Sequence, residues 1–154
     1  MSEPTNRLVI RDAERDDLQA IVTQLGDDVL GAGREGNVVD DAYEAAFDAI
    51  NDDARNRLIV AELDGEVVGS MQLTYIPGLG HHGAERVQVE SVRVNSDRRG
   101  QGIGEAMMQW VIAEAKSRGC AFIQLGTTKS RVDAQRFYAR IGFIADHEGM
   151  TYYL

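Results

Sequence analysis

Between Asp97 and Met107 the chain reads DRRGQGIGEAM: two arginines, then glycines at three alternate positions, then the start of an apolar helical pattern. Glycine weakens a helix start unless the backbone needs a conformation or a closeness that a side chain forbids. The segment follows a valine-rich strand, VESVRV, and precedes a helix with Ile103, Met107, Trp110 and Val111 on one face. At a strand-to-helix turn of this kind, free backbone N–H groups and the positive end of the helix dipole point the same way. Glycines let that backbone curve with no Cβ in a ligand's path, and Arg98 and Arg99 add charge-assisted hydrogen bonds. The pattern predicts a cradle for phosphate or pyrophosphate. The bland alternative is a tight loop carrying an exposed arginine pair.

Two familiar cradles are excluded. The P-loop needs a Gly-Lys pair, and none occurs. The dinucleotide fingerprint G-x-G-x-x-G would place its third glycine at Glu105 or Met107.

Around this segment the periodicity predicts a strand at Leu8–Arg11 and a helix at Asp16–Leu25. After a loop from Gly26 to Val39, a helix capped by Asp40 or Asp41 runs to Ile50. Arg57–Leu63 and Glu66–Ile76 form a hairpin across Asp64-Gly65, followed by a strand at Val87–Val94. The helix after the glycines ends at Gly119. A buried strand follows at Cys120–Leu125, then a helix at Val132–Ile141 ended by Gly142. A last hairpin joins Phe143–Ala145 to Met150–Leu154. This order predicts an α/β or α+β fold, a sheet with helices on both faces, as one domain over residues 1–154.

The net charge of -9 argues against nucleic acid, whose binding needs a basic footprint, and is compatible with a cationic acceptor or with solubility alone. No apolar run reaches the ~18 residues of a membrane span. MSEPTNRLVIRD carries no signal-peptide pattern, and the single Cys120 permits no internal disulfide. A cytoplasmic location is the expectation.

Arg99, Gly102 and Gly104 fit R/Q-x-x-G-x-G/A, and downstream AQRFYARIGF fits A-x-x-FY-x-x-x-GF through Ala134, Phe137, Tyr138, Gly142 and Phe143. Together the two motifs resemble the GCN5-related N-acetyltransferase (GNAT) family over Val87 to Phe143. The resemblance implies a mixed, mostly antiparallel sheet flanked by helices, with splayed central strands forming a slot for acetyl-CoA. It implies that Arg98, Arg99, Gly100, Gln101, Gly102, Ile103 and Gly104 hold the coenzyme A pyrophosphate. The backbone of Val92, Arg93 and Val94 would pair with the pantetheine arm. Arg131 stands where the family often has asparagine; arginine there would reach a phosphate instead. The implied reaction is direct transfer of an acetyl group to a primary amine of a small molecule or peptide, in a ternary complex. A non-catalytic acyl-CoA-binding sensor or regulatory module is the alternative.

Such a transfer has two proton problems. With a pKa near ~10.4, only about one amine in ~2,500 is nucleophilic at pH 7, a deficit of roughly 4–5 kcal/mol. A base, or a water relay to one, must take the proton. Glu90 is the candidate base, expected partly buried with a raised pKa, unless it pairs with Arg86, Arg93 or another cation. Tyr138 is the candidate acid, placed by the resemblance beside the coenzyme A sulfur; otherwise it is a core aromatic. Cys120 reads as core. His81 and His82, adjacent and without spaced partners, make no metal site; they are candidates for the acceptor rim. Glu35 or Asp28 would suit a cationic acceptor, and Arg34 a carboxylate. The apolar end MTYYL suggests an edge strand and a homodimer.

Overall fold

Asp64 and Gly65 both take positive φ, 52° and 84°, the geometry that matches a tight turn to the twist of two antiparallel strands. They join β2 (Asn56–Leu63) to β3 (Glu66–Ile76). With β1 (Leu8–Asp12), β4 (Arg86–Val94) and β5 (Phe122–Leu125) these strands form one sheet in chain order. β1, β2, β3 and β4 pair antiparallel in succession. The computed structural model describes residues 7–27 and 32–154. They fall into two compact units, one up to Gln124 and one from Leu125 to Leu154.

In the first unit, α1 (Leu18–Gly26) and α2 (Asp41–Asn51) cover one face of the sheet. Leu18 and Val22 of α1 pack with Phe47 of α2, and Leu58 of β2 packs against them. Asp40 caps α2 by accepting from the N–H groups of Ala42 and Tyr43. The opposite face carries α3 (Ile103–Arg118), whose Met107, Met108 and Val111 are fully buried. Arg57 lies over the half-buried Trp110, and Arg118 stacks 3.9 Å over the Tyr75 ring. Gly119 ends α3 in the left-handed conformation, its N–H returning to the carbonyls of Ala115 and Lys116.

The second unit holds α4 (Val132–Arg140), which Gly142 terminates through an N–H bond to the carbonyl of Ala139. Two expectations change here. The strand at Cys120–Leu125 is shorter and only half-buried, spanning Phe122–Leu125. The hairpin expected from Phe143–Ala145 and Met150–Leu154 does not form; Met150, Tyr152, Tyr153 and Leu154 are exposed. Strand propensity acts through packing and pairing, and Met150 to Leu154 lack a strand partner and lie exposed.

Candidate active site

The glycine segment leaves β4 through a short 3-10 turn, Ser96–Arg98, and enters α3. Gly100 and Gly102 both lie in the left-handed region, at φ 78° and 79°. A Cβ built on either would meet nothing within 4 Å, so each faces open space that a side chain would fill. The first intrahelical bond runs from the Ala106 N–H to the Gly102 carbonyl at 3.0 Å. The N–H groups of Ile103, Gly104 and Glu105 thus have no partner within the helix, and they sit at its positive end. Gln101, Gly102 and Ile103 line an open groove of about 360 Å³ with Leu8 and Leu63. Arg99 is exposed beside the glycines, while Arg98 is tied to Glu66 at 3.3 Å. A bent backbone, unpartnered N–H groups and an adjacent cation fit a pyrophosphate.

Just upstream, β4 is bulged. Ser70 faces Arg93 and Gln72 faces Glu90, so Met71 alone stands opposite both Ser91 and Val92. Ser91 takes φ 54°, an uncommon state for a residue with a side chain. A bulge of this kind turns the strand out of its ladder and re-aims its backbone. Val92 closes the bulge, and Arg93 and Val94 lead on to the glycine segment, all three half-buried. The hydrophobic alternation of VESVRV contains no sign of this bulge; a serine is not a residue that announces positive φ.

Glu90 immediately precedes the bulge. It is exposed, which corrects the expectation of partial burial, and it accepts a hydrogen bond from Gln88 Nε2 at 3.3 Å. Glu90 shares a sheet face with Gln88 and, across the ladder, with Gln72 and Thr74.

On the loop between α1 and α2, Arg34 donates to Glu35 at 2.8 Å and the Tyr43 hydroxyl donates to its other oxygen at 3.1 Å. Glu35 is therefore already engaged by two donors. Asp28 lies outside the described residues. His81 and His82 are exposed in the turn between β3 and β4, both left-handed, with His81 edge-on to Phe122 at 4.9 Å. Cys120 is half-buried and its thiol donates to Glu85 at 3.6 Å. Burial, and then the Glu85 carboxylate, push that thiol upward, so it is a poor nucleophile.

In the second unit, Tyr138 is half-buried on α4, edge-on to Phe137 at 5.1 Å and to Phe143 at 5.7 Å. Arg131 is exposed at the N-terminal end of that helix.

Comparison with known proteins adds four findings. The family model described as Acetyltransferase (GNAT) family matches residues 30–143. An aminoalkylphosphonate N-acetyltransferase of Salmonella typhimurium is 35% identical over 88 residues, covering 57% of this chain and 56% of that protein. A crystal structure described as a transcriptional regulator from Bacillus halodurans is 45% identical, with TM-score 0.93, covering 96% of this chain and 100% of the other. An acetyltransferase structure from Trypanosoma brucei is 25% identical, with TM-score 0.79, covering 96% of this chain and 100% of the other. The matched stretch is between about a third and somewhat over half the length of the first curated relatives.

Proposed function

This chain belongs to the acetyltransferase (GNAT) family, and we propose from that premise that it is an enzyme carrying an acetyl group from acetyl-CoA to a primary amine of a small molecule or peptide. The observation that carries the reading is the succession within one stretch of chain: bulged β4, left-handed glycines, unpartnered helix start. Acetyl-CoA supplies the acyl group in activated, thioester form. Gly100 to Gly104, with Arg98 and Arg99, hold its pyrophosphate, and the backbone of Val92 to Val94 receives its pantetheine arm. Arg131 supplies a further phosphate contact. Glu90 takes the proton of the incoming ammonium through water. Tyr138 returns a proton to the departing sulfur. Its contribution is the smaller, since a thiol of pKa near ~8.5 already leaves readily.

The Salmonella relative acts, by its name, on aminoalkylphosphonates. Small amines bearing an anion therefore lead the list of acceptors to try, with peptides second. The Bacillus halodurans protein is described as a transcriptional regulator, words that say nothing of an acyl-CoA sensor. A chain of net charge -9, however, offers no basic footprint for DNA. The deciding experiment is mass spectrometry of an amine panel, aminoalkylphosphonates included, incubated with acetyl-CoA and the protein. Enzyme-dependent acetylated product is expected. Binding of coenzyme A with no product from any amine would instead favour the sensor.

Two further properties belong to this reading. No helix among the described residues is long and apolar enough to cross a membrane, and a cytoplasmic site of action suits an acetyl-CoA consumer. The exposed apolar residues Met150, Tyr152 and Tyr153 suit a homodimer in which they are covered. Sedimentation velocity at micromolar protein is expected to give a dimer; a monomer throughout would refute the assembly.

A further inference from the structure

We propose that Gln24 is a positioning residue for the acetyl donor, fixing the bulged strand and the glycine loop through a chain of hydrogen bonds that starts from its buried side chain. It rests on the reading of that loop as the coenzyme A site. Gln24 sits near the end of α1 on a helix whose other inward residues are apolar, and it is only 5% exposed. Its carbonyl accepts the hydroxyl of Ser70, itself 2% exposed, at 2.5 Å. Its Nε2 donates to Asn95 Oδ1 at 2.9 Å. Asn95 in turn donates from Nδ2 to the Val67 carbonyl at 3.3 Å and from its backbone N–H to the Val68 carbonyl at 2.8 Å.

The direction of this chain is unique. The backbone carbonyl of Val67 can only accept, so Asn95 must present its amide nitrogen there and its oxygen to Gln24. Gln24 must then present nitrogen to Asn95 and oxygen to Ser70. No flipped arrangement satisfies every group, and an unsatisfied one at this depth is costly.

The places it ties are the ones the donor would use. Ser70 pairs with Arg93, the first residue beyond the bulge. Asn95 follows Val94, and its carbonyl accepts the N–H of Arg98 at 2.9 Å, closing the turn that delivers Arg99 and the glycines. One side chain thus bonds both Ser70, the β3 partner of Arg93, and Asn95, the residue that follows β4. A glutamine serving only to fill the core would not need to bridge these two points; an apolar side chain would fill the space at lower cost.

The test is Gln24→Met, which keeps length and removes both bonds. Isothermal titration with coenzyme A should show Kd raised about 5- to 10-fold, the order of one lost hydrogen bond. With a saturating donor, kcat should stay within about twofold, since the acetyl group once bound meets the same proton-handling residues. Asn95→Ala should raise Kd similarly, and the double variant should be no worse than either single one, as members of one chain are non-additive. Val22→Ala, a buried site on the same helix, should lower Tm without moving Kd. Should Gln24→Met fail to fold, Asn95→Ala against Val22→Ala reads the same prediction. Wild-type protein that does not bind coenzyme A would overturn the cradle and this proposal together. Wild-type binding with Kd unchanged in the network variants would overturn this proposal alone.

Discussion

The sulfur of Met107 lies over Gly69 so closely that a Cβ there would stand 2.9 Å from it and 3.0 Å from the carbonyl oxygen of Arg93. Glycine at 69 thus lets the Met107 side chain of α3 and the Arg93 backbone of β4 close in on β3 together. Gly69→Ala should cost about 1–3 kcal/mol by overpacking, because the Met107 sulfur can swing aside while the backbone of Arg93 cannot. Urea denaturation reads this as a lower midpoint at unchanged slope. An unchanged midpoint would mean that the helix slides outward freely.

Gly102 and Gly119 make a matched pair, since both are left-handed, at 79° and 83°, and neither has an atom within 4 Å of an added Cβ. Alanine at either should cost about 1–2 kcal/mol through backbone strain. Only Gly102→Ala should also weaken coenzyme A binding, because only there does the methyl group occupy the cradle. Gly102→Val should strengthen the contrast, at the risk of more strain. Equal coenzyme A affinity in the two alanine variants, each still folded, would remove the pyrophosphate from this loop.

What the sequence disclosed of these features follows the range of the forces involved. Asp64-Gly65, the Gly102 helix start and the Gly119 helix end are written in residues whose backbone preference is local, and each is where the sequence predicts it. The buried stripe of α3 follows from its spacing, although Met108, absent from the expected face, is as buried as Met107. The bulge at Ser91 is different: it depends on how β4 registers against β3, and no local preference marks it. Gln24 is hidden for the same reason, being a polar residue whose partners lie 46 and 71 positions away. The failed final hairpin shows the converse. The stretch Met150–Leu154 has strand-forming residues but no partner in register, and composition alone does not supply one.

Asp17 is a titratable brace between β1 and α1. Its carboxylate accepts from both terminal nitrogens of Arg11, at 2.7 and 3.0 Å, and from the Glu14 N–H at 2.7 Å. The Arg11 guanidinium holds it below the ordinary aspartate range, against the opposing effect of burial. A folded pKa below the unfolded one gives stability that is full above the unfolded value, near ~3.9, and is lost as pH falls through the folded value. Asp17→Asn should cost about 1.5–3 kcal/mol at pH 7 and flatten the fall in Tm below about pH 4. A Tm profile as steep in the variant as in wild type would assign the acid sensitivity to other carboxylates, Asp12 beside Arg57 being the next.

The proposed division of the two proton transfers between Glu90 and Tyr138 can be read from pH–rate profiles with one accepted amine. If Glu90 relays the ammonium proton, Glu90→Gln should lower kcat/KM by about 10²–10⁴ and remove the acid-side limb. Coenzyme A affinity should barely change, because Glu90 precedes the bulge rather than following it into the cradle. Its exposure makes the swap safe for the fold, since no buried partner is lost. If Tyr138 protonates the departing sulfur, Tyr138→Phe should lower kcat and leave the amine KM alone. That defect should shrink as pH approaches the thiol range near ~8.5, where the sulfur leaves unprotonated. The ring packing with Phe137 and Phe143 survives the change, so near-ultraviolet circular dichroism should show the aromatic cluster intact. Full activity in Glu90→Gln, with the acid limb retained, would make Glu90 a surface carboxylate and pass the base role to Glu35. There the test repeats with Glu35→Gln, whose carboxylate must first release Tyr43 or Arg34 to act.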